Sequence, residues 1–325
     1  MTAEIAILNR MGVALAADSA VTIGTKGGPK IYNTVNKLFS LSKFEPVGIM
    51  VYGIADFMTI PWEVIVKQYR VDLGRERLPS LKDYADSFLT FLSDKENVLF
   101  PQSMQTAYLE AHLGALFSDI KKEIEGEVET CLKDGEEVTE SEVAQIVRTK
   151  IEEKRTSLLR ASDLPEASAS RARRILQRRP ELLKDLREMA FEQLPMSGEV
   201  LQRLKQVAVL AIYKRVDYWP YSGVVIAGFG SDEHYPSLYA YEVEGVVDGL
   251  LRYGESRKAA IGPDANSATI LPFAQGEMVH TFMRGLDPTY DQILEGFVEH
   301  LATRMGEVFV SMPGCNLGGT SKRPY

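Results

Sequence analysis

The spacing of apolar residues changes period twice along the chain, and this alternation limits the fold more than any other feature. Residues 1–94 begin with short apolar runs of the length and composition of buried strands. Ile5-Ala6-Ile7-Leu8 ends at the turn signal Asn9-Arg10-Met11-Gly12, and Val13-Ala14-Leu15-Ala16-Ala17 runs on to Asp18. This pattern predicts a hairpin. Residues 37–41 and 47–52 predict a second hairpin, with Glu45-Pro46 in its turn. After Gly53 the period becomes helical. Ile60, Val64, Ile65 and Tyr69 recur behind Pro61, and residues 80–94 read as another helix with Ser80 as N-cap.

Residues 95–216 are strongly charged, poor in glycine and dominated by helix formers. Helices are predicted at 118–124, 140–159 and 171–204, the last interrupted at Pro180, with breaks at Asp134-Gly135 and Leu164-Pro165. This block reads as a helical insertion. Residues 217–325 return to strands at 223–229, 237–243 and 259–261, followed by helices at 267–284 and 289–305. Strands, helices, strands, helices imply an α+β protein in which antiparallel sheets lie between helical layers.

A net charge of −8 disfavours nucleic acid and anionic membrane as partners. The two cysteines, Cys131 and Cys315, are too few for a disulfide framework and suit a reducing cytoplasm. No apolar run reaches the ~20 residues of a spanning helix, and Glu4, Asn9 and Arg10 break what would be the apolar part of a signal peptide. His112, His234, His280 and His300 lack metal-ligand spacing, so neither a metal nor a cofactor is expected. The arginines at 171, 173, 174, 178 and 179 read as a solvated helix face or, more sharply, a docking surface.

Four short segments bear on chemistry. Met1-Thr2-Ala3 predicts removal of Met1, which exposes Thr2 with a free amine directly ahead of a strand. Asp18 closes a strand in Ala16-Ala17-Asp18-Ser19, Lys37 opens one in Lys37-Leu38-Phe39, and Gly53 ends one in Gly53-Ile54-Ala55-Asp56. Taken singly, each has an ordinary structural reading: a strand-end turn, a solvated lysine, a turn glycine.

Taken in order, these segments resemble the proteasome β subunits and their bacterial relatives, the N-terminal-nucleophile threonine hydrolases. Asp18 stands sixteen residues beyond Thr2, the family spacing. Lys37 comes a few residues late, which a longer turn at Gly27-Gly28 accommodates, and the Gly53 segment is slightly shorter than in many members. The resemblance covers about the first 95 residues, weakens over 222–300 and is absent from the insertion. Two departures stand out. Gly262-Pro263-Asp264-Ala265-Asn266-Ser267 lies where the family carries a serine-bearing turn, with Ser267 or Asp264 as substitutes, and the closing strands after Asp291 are short or altered.

The resemblance implies a four-layer αββα Ntn-hydrolase sandwich carrying a large helical insertion. Its halves would be residues 1–94 and 217–325, with 95–216 inserted between them. It also implies a threonine-type peptidase acting through an acyl-enzyme on Thr2. The terminal amine would take the hydroxyl proton, Lys37 would stabilise the charge on the oxygen, Asp18 would hold Lys37, and the Gly53 N–H would stabilise the oxyanion. Val21, Val51 and Ala55 would line the side-chain pocket and favour a neutral or hydrophobic residue. The implied partners are a peptide or unfolded protein substrate, further copies of the chain, and an ATP-dependent unfoldase. Two other functions fit the residues: an amidase on a small amide, and a catalytically silent scaffold that binds through the insertion.

Overall fold

In the computed structural model, residues 3–19, 21–25, 28–32, 35–94, 98–133, 138–216, 219–263 and 265–311 are described. The first hairpin forms as the alternation predicts, from β1 (Ala3–Asn9) and β2 (Gly12–Ala17). Asn9 closes it by accepting hydrogen bonds through Oδ1 from the N–H groups of Met11 and Gly12, at 2.8 and 3.1 Å. A two-stranded ribbon follows, β3 (Val21–Thr25) with β4 (Gly28–Tyr32). The next strands are β5 (Leu38–Ser40) and β6 (Val47–Gly53), then the short pair β7 (Asp56–Phe57) and β8 (Ile60–Pro61). Helix α1 (Trp62–Leu73) starts behind Pro61, and α2 (Leu81–Ser93) starts at Ser80. The Ser80 hydroxyl and the Asp83 carboxylate cap each other's backbone in a capping box.

The insertion contains five helices among the described residues: α3 (Gln102–Lys133), α4 (Glu140–Arg160), α5 (Ala169–Gln177), α6 (Pro180–Phe191) and α7 (Gly198–Tyr213). Helix α3 is far longer than the expected 118–124, because its exposed face is charged and conceals the apolar period at both ends. The break at Pro180 occurs as predicted. A second break, at Leu194-Pro195, divides what reads as one helix to 204. The break expected at Asp134-Gly135 lies outside the described residues.

The chain then returns to sheet with β9 (Ser222–Gly228), β10 (Ser237–Val247) and β11 (Leu250–Ala260). Asp248 and Gly249, both with positive φ, form the two-residue turn between the last two. Only 259–261 of β11 is expected from the sequence, because its outer half is polar. The helix expected over 267–284 divides: its first half is β12 (Ala268–Ala274), and only the second is helical, α8 (Gly276–Arg284), ahead of α9 (Pro288–Ser311). Pairing with β1 over seven residues, Ala3 with Ala274 through Asn9 with Ala268, overrides the local helical period. Pro272 is tolerated because β12 is an edge strand.

The strands form two main antiparallel sheets, ordered β12-β1-β2 and β11-β10-β9-β6-β5. Ala6 and Leu8 of the smaller sheet meet Met50, Val225 and Ala227 of the larger one between them. The other face of the larger sheet packs Ile49, Val51, Val224 and Ile226 against Trp62, Ile65, Tyr84 and Phe88 of α1 and α2. Helix α8 lies against β1 and β12. The protein is therefore α+β, and helices flank a pair of facing sheets. Among the described residues no helix is long and apolar enough to cross a membrane.

Candidate active site

The hairpin geometry fixes the first element of the site. Glu4 pairs with Ala17 across β1 and β2, so the next residue along, Asp18, reaches Ala3, and its N–H donates to the Ala3 carbonyl at 3.1 Å. Thr2, the residue before Ala3, lies outside the described residues. Lys37 enters from the other sheet. Its carbonyl accepts from the Val51 N–H at 2.9 Å, which extends the β5–β6 ladder by one step. The Lys37 side chain is buried, and its Nζ lies 2.5 Å from Oδ1 of Asp18. An ammonium at this depth requires a carboxylate, so the ion pair bridges the two sheets at one end of the sandwich.

Gly53 closes the same end. It stands two residues along β6 from the partner of Lys37, with φ of 82°. A Cβ there would lie 2.8 Å from the Tyr221 carbonyl, so only glycine fits both the dihedral and the close approach. The following peptide is held from behind. Ser222 Oγ donates to the Ile54 carbonyl at 2.9 Å and accepts from Trp62 Nε1 at 3.0 Å. These two hydrogen bonds tie the Gly53 corner to β9 and to the start of α1.

The pocket residues are less united. Val21 pairs with Tyr32 in the β3–β4 ribbon, and its side chain is not among those described. Val51 is buried in the cluster beneath α1 and α2, away from the open side of the Asp18–Lys37 pair. Ala55 is half-buried, and its carbonyl accepts from the Trp62 N–H at 3.5 Å. In the β11–β12 connection, Ser267 is exposed and Asp264 lies outside the described residues.

The residue that sequence reasoning missed is Glu4. It appears there only as a charge interrupting an apolar run. In β1, Glu4, Ala6 and Leu8 are buried on one face, with Glu4 1% exposed. Neither carboxylate oxygen has a hydrogen-bond partner among the described residues. Burial pushes its carboxyl up to about 8; Lys37 pulls it back down and Asp18 adds to the rise. The signal was legible: an acid at an inward-facing position of a period-two strand.

His112 packs its ring against Trp219 at 4.7 Å and donates from Nδ1 to the Tyr108 carbonyl at 2.7 Å, a structural setting. No family model, curated protein or solved structure matches the chain.

Proposed function

We propose that this chain is a threonine-type peptidase of the N-terminal-nucleophile class, built as a four-layer αββα sandwich. One observation carries the reading: the buried Lys37–Asp18 pair, locked by a backbone hydrogen bond to Ala3, the residue next to Thr2. Loss of Met1 gives Thr2 a free α-amino group with an ordinary pKa of about 7.7–8.0, neutral in part near physiological pH. That amine takes the proton of the Thr2 hydroxyl as Oγ attacks the peptide carbonyl. Lys37 stabilises the oxygen as its proton leaves, and Asp18 keeps Lys37 charged and oriented. The carbonyl oxygen becomes an oxyanion, which the Gly53 N–H accommodates. Collapse of the intermediate expels the amine half of the substrate, with a proton returned from the terminal ammonium. It leaves an ester on Thr2, which water hydrolyses to free the carboxylic acid and restore the hydroxyl.

The partner we assign to the assembly is a second copy of the chain. Helix α8 buries none of its residues, and α9 leaves Tyr290, Ile293, Leu294, Phe297, Val298 and Leu301 exposed. Together these helices present a contiguous run of exposed large apolar side chains, the kind of surface that marks an interface. Most soluble oligomers are built from copies of one chain, and another copy is the partner we assign to this face.

The function test is direct. Intact mass establishes loss of Met1, and a threonine-directed electrophile is expected to add one adduct, abolished in Thr2→Ala. A correctly processed terminus with no adduct would favour the scaffold function. An adduct without cleavage of any peptide in a diverse library would favour a small-amide substrate.

A further inference from the structure

Glu4 is a carboxyl group beside the Lys37–Asp18 pair that the proposed mechanism does not use, and it is more deeply buried than Asp18. It shares the inner face of its sheet with Ala17, its β2 partner, and with Phe273, its β12 partner. The Tyr52 ring from β6 lies 5.7 Å from that of Phe273. The groups that set the field at Glu4 are Lys37, from the segment before β5, and Asp18, from the end of β2. Tyr52 lies close enough to sense the Glu4 charge. Arg257 of β11 stands further off, with its guanidinium 5.5 Å from the Phe273 ring and donating to the Pro272 carbonyl at 2.6 Å. Among the described residues Glu4 thus sits in an apolar seam, without a hydrogen bond, beside the Lys37–Asp18 pair. An ionised carboxylate in that setting has no compensation except Lys37.

We propose that Glu4 is a positioning residue that switches the site through Lys37: as a neutral acid it leaves the ammonium to Asp18 and the reacting oxygen, and as an anion it draws the ammonium to itself. The proposal rests on the Thr2 reading given above. Ionised Glu4 adds a second negative charge where the hydroxyl oxygen and then the carbonyl oxygen must become negative. It also holds the nearby terminal amine in its protonated form, which cannot act as a base. Both effects slow acylation. The rate then rises with pH as the terminal amine loses its proton and falls again as Glu4 loses its own. Without Glu4, that alkaline fall is absent.

The test compares wild type with Glu4→Gln, which keeps the shape and removes the charge. Adduct formation at Thr2 is followed by intact mass across a range of pH. In wild type the rate is expected to fall roughly tenfold per pH unit above about 8, and in Glu4→Gln to hold level there. Glu4→Asp, which still titrates, restores the fall. The thermal midpoint of the same proteins gives a readout that needs no activity. The Glu4 carboxyl is neutral in both folded and unfolded chains below its ordinary 4.5. Between 4.5 and about 8 it is neutral only when folded, so folding takes up a proton and stability drops as pH rises; above about 8 the drop is complete. The wild-type midpoint therefore declines across that window relative to Glu4→Gln. Equal alkaline falls in the two chains would overturn the switch alone. Equal midpoint curves would overturn the buried neutral acid beneath it. No adduct in either chain, with Met1 removed, would overturn the nucleophile and the switch together.

Discussion

The insertion and the α8–α9 pair are both helical, both lie outside the sheets, and they differ in one respect. In the insertion the apolar faces of α3 to α7 converge on a shared core that includes Leu113, Phe117, Ile151, Leu176, Leu186 and Leu204, all buried. In α8 and α9, Phe282 is 91% exposed and Phe297 57%. The apolar period is helical in both. A helix stripe therefore states that a face will be covered, not by what.

The insertion is also tied to the sheet, which α9 is not seen to be. Arg252 of β11 is fully buried. It pairs with Glu244 at 2.6 Å, lies 3.4 Å over the Trp219 ring, and donates to the carbonyls of Ala211 and Lys214 at the end of α7. A guanidinium at a helix C-terminus satisfies carbonyls that have no partner within the helix and complements the helix dipole. Tyr108 of α3 adds a hydrogen bond from its hydroxyl to the Glu244 carbonyl at 2.7 Å, and Arg178, the C-cap of α5, pairs with Asp248 in the β10–β11 turn at 2.8 Å.

Four substitutions test the contrast. Arg252→Ala has the largest expected effect, because it strands the Glu244 carboxylate and the α7 carbonyls in the interior. A loss of about 3–5 kcal/mol by urea denaturation is expected, and a loss below about 1 kcal/mol would show that Arg252 does not anchor the insertion. Phe117→Ala is next, at about 3–5 kcal/mol without a stranded charge. Its counterpart Phe282→Ala is expected to stay within about 0.5 kcal/mol in dilute protein. Comparable losses for both would mean that α8 is packed in the isolated chain. Phe297→Lys should leave the stability of the dilute chain within the same ~0.5 kcal/mol and shift sedimentation toward the monomer at high concentration. Unchanged sedimentation would remove α9 from the interface.

Legibility in the sequence followed the locality of each signal. The first hairpin, the Ser80 cap and the Pro180 break rest on neighbouring residues, and each appears where the sequence puts it. Strand β12 was read as helix because its identity comes from pairing with β1, far away in the chain. The Asp248-Gly249 turn was a strong hairpin signal that the polar outer half of β11 obscured. At the site, the approach of Lys37 to Asp18 is what the family resemblance implies. Val51 does not reach the open side, because a one-residue step along β6 turns a side chain to the opposite face of the sheet.

By itself the sequence determined the first hairpin, the cap of α2, the break at Pro180 and the residue types that stand at the ends of the early strands. These depend on period, capping and turn chemistry, each set within a few residues. Only the tertiary structure decided that residues 268–274 form a strand, that Glu4 has no hydrogen-bond partner among the described residues, that Arg252 terminates a helix from another layer, and that Phe282 and Phe297 are exposed in the single chain. Burial belongs to a pair of surfaces, and a linear chain specifies one surface at a time.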